Sequence, residues 1–253
     1  MREERANGHD PAVNVQNVSK SFDARHVLEN VSFEVYSGEA FCLLGRSGIG
    51  KSVTLKLLIG LVKPDSGRIT VDGHSIGDAD AATLAEVRKK VGFLFQDGAL
   101  FDSISVADNV AFPLQRHTKK SGKEIREIVQ EKLQEVELAD EGKKMPSELS
   151  GGMRKRVGLA RALVLDPPIL LVDEPSSGLD RITAAEIYDL LLRLKQKRHV
   201  AQVVVTHDVI GARELATRFA VLDGGKIAAA GNLNELAHDR NALVRDLATV
   251  AEV

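Results

Sequence analysis

The chain has 253 residues, 43% of them hydrophobic and 28% charged, which suits one large domain or one domain with an inserted lobe. Its formal net charge of -2 gives no global basic field for nucleic acid, and no apolar run approaches the roughly 20 residues that span a bilayer. Cys42 is the only cysteine, which excludes an intrachain disulfide and fits a reducing compartment.

The polar first residues, MREERANGHDP, have no signal-peptide core, so we expect a cytoplasmic protein. If the protein acts at a membrane, another chain would have to supply the membrane-spanning segments. Residues 1–12 predict a frayed arm. The apolar neighbours of Cys42 predict a buried structural thiol rather than a reactive one.

The first part of the chain alternates strand-like runs with turn residues. Asp23 and Ala24 are assigned to the turn between the first two strands, and the third strand runs into a glycine-rich loop. Helical character follows at 53–61. Strands are predicted at 13–18, 27–36, 40–44, 68–71 and 91–95.

The next part predicts a mostly helical lobe inserted in an α/β core, at about 97–165. Apolar residues recur near helical spacing from Ile125 to Val136, which predicts an amphipathic helix. Ser150 is a candidate N-cap for a second helix that runs towards Leu165, where two prolines follow.

The α/β pattern then resumes. The continuous apolar strand at 169–172 is typical of a parallel sheet covered on both faces. A helix is predicted around 187–194, a strand at 201–206, and a hairpin around Asp223, Gly224 and Gly225. Residues 232–253 predict a helical tail, either a packing element or a partner site.

The glycine-rich loop matches GxxxxGK[ST], with a strand before it and a helix after it. Its glycines let backbone N–H groups turn inward around phosphate oxygens, and the helix points its positive end at the same charge. Lys51 is predicted to neutralise the β- and γ-phosphates and Ser52 to ligate Mg²⁺. The candidate nucleotide-binding residues here are Gly45, Arg46, Ser47, Gly48, Ile49, Gly50, Lys51, Ser52 and Val53.

The strand at 169–172 delivers Asp173 and Glu174 at its carboxyl end, where open α/β sheets bind ligands. Asp173 is predicted to hold Mg²⁺, directly or through water. Glu174 is predicted to polarise the water that attacks the γ-phosphate. The alternative is a strand that simply ends in two exposed acids.

These motifs, in this order, resemble the nucleotide-binding subunit of an ATP-binding cassette (ABC) transporter over residues 13–231. The resemblance implies an α/β fold: a P-loop NTPase core of ABC type, an N-terminal antiparallel β subdomain and an inserted α-helical subdomain. It also implies ATP and Mg²⁺ as cofactors and ATP hydrolysis coupled to transport as the activity.

The resemblance assigns roles to further residues. Gln96 matches the Q-loop, which senses Mg²⁺ and the attacking water, and His207 matches the switch histidine that contacts the γ-phosphate. Phe22 occupies the position expected to stack on adenine, with simple packing as the alternative. Residues 177–180 match the D-loop, although Asp180 could serve only as a helix N-cap.

Residues 149–153, Leu-Ser-Gly-Gly-Met, match the family's signature. Ser150 offers a hydroxyl, Gly151 and Gly152 let backbone N–H groups approach a phosphate, and a helix follows. In the family this motif closes on the ATP held by the other subunit. The resemblance therefore implies a homodimer with two ATP molecules in its interface.

Departures from the commonest ABC sequence pattern point to one branch of the family. Met153 stands where Gln is usual, Val53 stands where Thr often follows, and residues 94–114 read LFQDGALFDSISVADNVAFPL. Together these resemble the ATPases of Mla/Mce-type lipid transporters. That implies a multispanning permease, a periplasmic MCE-domain protein, and a place on the cytoplasmic face of the inner membrane; it allows a small regulatory subunit.

Two other hypotheses stay open. The chain could be another ABC subunit, such as an amino-acid importer or a lipoprotein exporter. It could also be a soluble ABC ATPase acting on DNA or ribosomes, against which its charge and the lack of tandem cassettes or a long coiled coil argue. Residues 99–113 either fill the core of the helical lobe or cradle a short permease helix, as this surface does in the family.

Overall fold

A computed structural model describes residues 10–249, so most of the predicted arm at 1–12 lies outside the described residues, as do residues 250–253. The strands are β1 (Val13–Phe22), β2 (Arg25–Val35), β3 (Ala40–Leu44), β4 (Ser66–Val71), β5 (His74–Ser75), β6 (Val91–Leu94), β7 (Ile169–Asp173), β8 (Ala201–Thr206), β9 (Arg218–Asp223) and β10 (Lys226–Gly231).

The helices alternate with these strands or cluster between β6 and β7. They are α1 (Lys51–Leu58), α2 (Ala81–Lys89), α3 (Val106–His117), α4 (Gly122–Glu135), α5 (Gly151–Leu163), α6 (Arg181–Arg198), α7 (Val209–Leu215), α8 (Leu233–Ala237) and α9 (Ala242–Thr249). No helix within residues 10–249 is both long and apolar enough to cross a bilayer.

Two sheets form the framework. The larger has the order β10-β9-β3-β8-β7-β6, parallel throughout except for the antiparallel edge strand β10. The smaller is antiparallel, with the order β2-β1-β4-β5. The predicted α/β class with an N-terminal antiparallel subdomain is confirmed.

The core lies on both faces of the parallel sheet. Alternate residues of β3 face opposite sides: Cys42 and Leu44 join a cluster with α3–α6, whereas Phe41 and Leu43 join one with α1 and the antiparallel sheet. All of β3, β7 and β8 is buried, as the continuous apolar runs predict. Burial of the Cys42 thiol is also confirmed.

The register of the parallel strands sets where the site forms. Leu44 is paired with Thr206, and Asp173 with Val205, so β3, β7 and β8 end at one edge of the sheet. The loops that follow these strands therefore open side by side, where parallel sheets bind ligands.

Some elements differ from the sequence prediction. The first helix begins at Lys51 rather than at residue 53, because the left-handed Gly50 ends the loop directly before it. Helix α2 was not predicted, since Val87 is its only fully buried residue and its apolar stripe is weak. Helix α3 was not predicted either, and it holds Pro113, which ordinarily argues against a helix.

The described part of the tail packs onto the main core. Asn232 caps α8, and Leu236, Val244 and Ala248 from α8 and α9 are buried in the cluster that contains the helical lobe. The helical prediction is confirmed there, and the packing explains why these two short helices form.

Candidate functional site

A cavity of about 330 Å³ opens at the carboxyl ends of β3, β7 and β8. It brings together the glycine-rich loop, the acid after β7, the histidine after β8 and the glutamine after β6. Its lining residues are Arg25, Val27, Ser47, Gly48, Gly50, Lys51, Ser52, Val53, Gln96, Glu174, Ser177 and His207.

The loop after β3 has the backbone geometry of an anion site. Gly48 and Gly50 have φ angles of 76° and 117°, and a Cβ atom on Gly50 would lie 2.9 Å from Cγ1 of Val27. Helices α2 to α8 each begin with a side-chain cap, but no side chain caps α1. The first-turn N–H groups of α1 therefore remain available for an anionic ligand.

Lys51 places a buried ammonium group in this cavity. Its Nζ donates to the carbonyl oxygens of Gly45 at 2.7 Å and Arg46 at 3.0 Å, and it lies 3.0 Å from Oε1 of Glu174. The loop thus holds the positive charge where an entering phosphate would meet it, and Glu174 balances that charge in the meantime. Ile49 instead packs its side chain against the core.

Two oxygen atoms of the kind that bind divalent cations lie side by side. The Ser52 hydroxyl donates to Oδ1 of Asp173 at 2.8 Å. Burial raises the pKa of Asp173, and this hydrogen bond partly offsets the rise. A hydroxyl and a carboxylate in contact beside a phosphate loop fit Mg²⁺, which takes few protein ligands along with phosphate oxygens.

Gln96 lines the same cavity, but its amide nitrogen donates to the Ser177 hydroxyl at 3.1 Å. The structure therefore places this predicted metal-sensing residue beside the D-loop. Its contact joins the segment after β6 to the segment after β7.

Glu174 and His207 are in direct contact at the edge of the cavity. Oε2 of Glu174 lies 2.9 Å from Nδ1 of His207 and also accepts from the His207 backbone N–H at 3.3 Å. Glu174 has a φ of 46°, a left-handed conformation that costs on the order of 1–3 kcal/mol for a residue other than glycine. Its carboxylate consequently faces both Lys51 and His207.

Ser150, Gly151 and Gly152 do not line the phosphate cavity of their own chain. The Ser150 hydroxyl accepts from the Met153 N–H at 3.2 Å and caps α5. A Cβ atom on Gly152 would lie 2.4 Å from Cγ2 of Thr183, so this glycine permits close packing against the start of α6.

Asp180 caps α6, accepting from the N–H groups of Ile182 and Thr183 at 3.0 Å each. The Thr183 hydroxyl and backbone bonds hold its pKa below the usual range. Phe22 is exposed at the end of β1, 5.3 Å from the Lys20 ammonium, and does not line the cavity. Neither side chain lines the phosphate cavity, and the hydrogen bonds of Asp180 are those of the helix cap that was its alternative role.

The sequence motifs do not reveal two charged residues that touch the site. Arg25 lines the cavity and donates from Nη2 to the Gly48 carbonyl at 3.2 Å, next to the position assigned to Phe22. Lys155 is buried and donates to the Glu174 carbonyl at 2.9 Å. Burial lowers the pKa of Lys155 to about 8, against the opposing effect of nearby Asp97 and Glu174. Helical spacing from Gly152 could have placed Lys155 on the buried face of α5.

Comparison with known proteins agrees with this geometry. The ABC transporter family matches residues 28–177. A solved ATP-binding cassette, described as a dimer in a post-hydrolysis state with ADP and phosphate bound, superposes with a TM-score of 0.81 at 34% identity, covering 87% of this chain and 98% of that one.

Three curated relatives carry different transport names. The probable ribonucleotide transport ATP-binding protein Mkl of Mycobacterium leprae is 49% identical over 83% of this chain and 61% of its own length. The intermembrane phospholipid transport ATP-binding protein MlaF of Haemophilus influenzae is 39% identical over 92% of this chain and 88% of its own. The methionine import ATP-binding protein MetN of Clostridium tetani is 40% identical over 88% of this chain and 70% of its own length. The chain thus spans about three fifths of the Mkl relatives.

Proposed function

The chain belongs to the ABC transporter family, and on that premise we propose that it powers the movement of phospholipids between membranes of the bacterial envelope. It is an ATP-hydrolysing cassette that works with ATP and Mg²⁺. In this proposal residues 13–231 form the ATPase domain, with a helical subdomain at about 97–165, and residues 232–253 form a tail.

The observation that carries the phospholipid proposal is the similarity to MlaF, which is 39% identical over 92% of this chain. Mkl is more similar in sequence, 49% identical over 83% of this chain, and it is named a probable ribonucleotide transport protein. The departures at Met153 and Val53 and the stretch after Gln96 support the phospholipid proposal.

For hydrolysis, we assign the chemistry to the residues gathered at the sheet edge. The phosphates of ATP would be held by the uncapped start of α1 and by Lys51. Mg²⁺, held by Ser52 and Asp173, would neutralise charge on the phosphate oxygens. Glu174 would accept a proton from the attacking water while the water oxygen bonds to the γ-phosphorus and the bond from that phosphorus to the bridging oxygen breaks. His207 would contact the γ-phosphate and hold it in place.

The Lys51–Glu174 ion pair gives this assignment an order of events. With Lys51 bonded to Glu174 at 3.0 Å, the carboxylate is engaged and cannot accept a proton freely. An entering phosphate would draw the ammonium away, because it carries more negative charge than one carboxylate. Glu174 would then be free to orient the water.

The second half of each site would come from another copy of the chain. Ser150, Gly151 and Gly152 lie outside their own phosphate cavity, on the start of a helix that offers N–H groups to an anion. A solved dimeric cassette of the same fold supports this arrangement. We therefore propose a homodimer with ATP between the phosphate loop of one copy and the signature of the other.

Transmission to the membrane would use the groove after Gln96. Phe101 and Phe112 are exposed, with ring centroids 4.9 Å apart, on the rim of a cavity of about 550 Å³ between β6 and the helical lobe. We propose that this groove holds a short helix of a multispanning permease, which places the chain on the cytoplasmic face of the inner membrane. A periplasmic MCE-domain protein, and optionally a small regulatory subunit, would complete the assembly.

Purification of the full chain with its co-expressed neighbours tests the proposal. We expect a permease, an MCE-domain chain and bound phospholipid, and ATP-dependent phospholipid transfer between vesicles that Glu174→Gln abolishes. The second candidate is an importer of small solutes, favoured by the MetN and Mkl similarities. An ATPase stimulated by a solute-binding protein loaded with methionine or a ribonucleotide, with no phospholipid transfer, would replace the first proposal by the second.

A further inference from the structure

We propose that Lys155 is a positioning residue for ATP hydrolysis. From the signature helix α5, it holds the main chain of Glu174 in the conformation that aims the carboxylate into the phosphate cavity. The inference rests on the proposed role of Glu174 and is independent of the molecule transported.

The backbone of Glu174 needs such a restraint. Its φ of 46° lies in the left-handed region, where a Cβ atom crowds the following carbonyl oxygen. Pro175 follows it, and a residue before proline is ordinarily pushed to extended conformations. Two local preferences therefore oppose the observed conformation, so contacts from elsewhere in the fold must maintain it.

Three hydrogen bonds supply those contacts. The Glu174 N–H donates to the Val205 carbonyl at 2.9 Å, and the Glu174 carbonyl accepts from the Ser177 N–H at 3.2 Å. The same carbonyl accepts from Nζ of Lys155 at 2.9 Å. The first two bonds come from the core sheet and the D-loop, whereas the third comes from a different part of the fold.

The Lys155 bond is buried and strong for its type. The Lys155 side chain is 4% exposed and Glu174 is 8% exposed, so water does not compete readily for either group. A charged donor on a neutral carbonyl forms a stronger bond than two neutral partners. The desolvation of a lysine at this place is costly, and the bond to Glu174 offsets part of that cost.

Helix α5 is a rigid platform for this contact. A Cβ atom on Gly98 would lie 2.8 Å from the Arg154 carbonyl, so the segment after Gln96 touches the α5 backbone directly. Arg161 donates to the carbonyls of Gly98 and Ala99 at 2.9 Å each. Movement of α5 is therefore passed on to its neighbours rather than absorbed by loose packing.

This platform links the signature to the candidate base. Lys155 lies five residues after Ser150, roughly 7.5 Å along the helix. In the proposed dimer, Ser150 meets the ATP of the other copy, so closure of the dimer would adjust Glu174 in the same chain through Lys155. Lys155 would thus couple binding of the partner's nucleotide at Ser150 to the position of Glu174 in the chain's own site.

The alternative is that Lys155 only fills space and satisfies a carbonyl. Lys195 offers a matched control, because its Nζ also donates to a backbone carbonyl, that of Leu215, at 2.7 Å. Lys195 lies outside the phosphate cavity. Loss of a lysine-to-carbonyl bond as such should lower the melting temperature in both variants, more so for the buried Lys155 than for the half-buried Lys195. Loss of positioning should lower kcat in Lys155→Met alone.

The experiment compares four variants of the full chain: Lys155→Met, Lys155→Arg, Lys195→Met and Glu174→Gln. For each variant, kcat, KM for ATP, the melting temperature and the mass of the ATP-induced dimer are measured. We expect Lys155→Met to lower kcat roughly 10- to 100-fold, as for a lost hydrogen bond with a charged group, with KM little changed. It should accumulate an ATP-bound dimer as Glu174→Gln does. Lys155→Arg should recover most of kcat, and Lys195→Met should keep it.

Normal kcat in Lys155→Met, beside an inactive Glu174→Gln, overturns this proposal and leaves the hydrolysis proposal standing. Equal loss of kcat in Lys155→Met and Lys195→Met, tracking melting temperature, also overturns it. Normal turnover by Glu174→Gln removes the role of Glu174 and this inference with it. If Lys155→Met does not fold, Lys155→Gln, which keeps a shorter neutral donor, takes its place with the same expected loss.

Discussion

Two serines in this chain each cap a helix through the hydroxyl, but only one has a proposed role in binding ATP. Ser150 accepts from the N–H three residues on at 3.2 Å, and Ser121 does so at 3.3 Å at the start of α4. Replacing either serine by alanine removes one helix cap, which costs about 1 kcal/mol. For a chain of this size that lowers the melting temperature by roughly 2–4 °C.

The two variants should separate in function. In the proposed dimer the Ser150 hydroxyl also donates to a phosphate, and a hydrogen bond to a charged group contributes about 1.5–3 kcal/mol. Because the proposed homodimer holds two such contacts, Ser150→Ala should weaken ATP-induced dimerisation roughly 10²- to 10⁴-fold. Ser121→Ala should leave dimerisation and ATPase activity unchanged, because Ser121 is exposed on the helical lobe.

The assay is the concentration dependence of ATPase activity, with thermal unfolding of each variant alongside. At low protein concentration Ser150→Ala should lose most activity, and higher concentration should restore part of it. Equal activity in the two alanine variants, at matched melting temperatures, would show that Ser150 is a cap and nothing more.

Lys51→Ala should abolish nucleotide binding. It should also destabilise the fold, because it leaves the buried Glu174 carboxylate without its 3.0 Å partner. Adding Glu174→Gln should recover stability in urea unfolding without recovering nucleotide binding. If the double variant were no more stable than Lys51→Ala, the ion pair would have no such role. Arg156 holds the pKa of the Glu137 carboxyl below its usual range. That pair stabilises the fold above the ordinary glutamate pKa, and the stabilisation is lost as pH falls through the lowered value. Glu137→Gln should thus unfold more easily than the original chain at pH 7, and the difference should shrink as pH falls through the lowered pKa and the carboxyl of the original chain takes up its proton. A difference that stays the same as the pH is lowered would contradict this.

The parallel core was predictable because its signals are local. A strand is predicted at 201–206, around the apolar residues Val203, Val204 and Val205, and the structure has the same bounds, Ala201–Thr206. Ser150 was assigned as the cap of α5 from its residue type and the proline stop beyond that helix. Both depend on neighbours in the sequence.

The parts that were missed depend on distant contacts. Helix α2 has little apolar periodicity, and its Arg88 is anchored by bonds to the carbonyls of Ile59 and Gly60, which no sequence pattern reveals. The bond from Lys155 to the Glu174 carbonyl joins residues 19 apart in sequence. Its partner is a backbone atom, and residue type carries no signal for that. The left-handed Glu174 is hidden for the same reason.

The central claim is that Glu174 drives hydrolysis in a site completed by a second copy of the chain. The most direct measurement is the mass of the Glu174→Gln chain by light scattering, with and without ATP and Mg²⁺, beside its ATPase rate. We expect a shift from the 27.4 kDa monomer to twice that mass on adding ATP, with hydrolysis nearly abolished. A chain that stays monomeric with ATP bound, or that hydrolyses ATP at the unsubstituted rate, would contradict it.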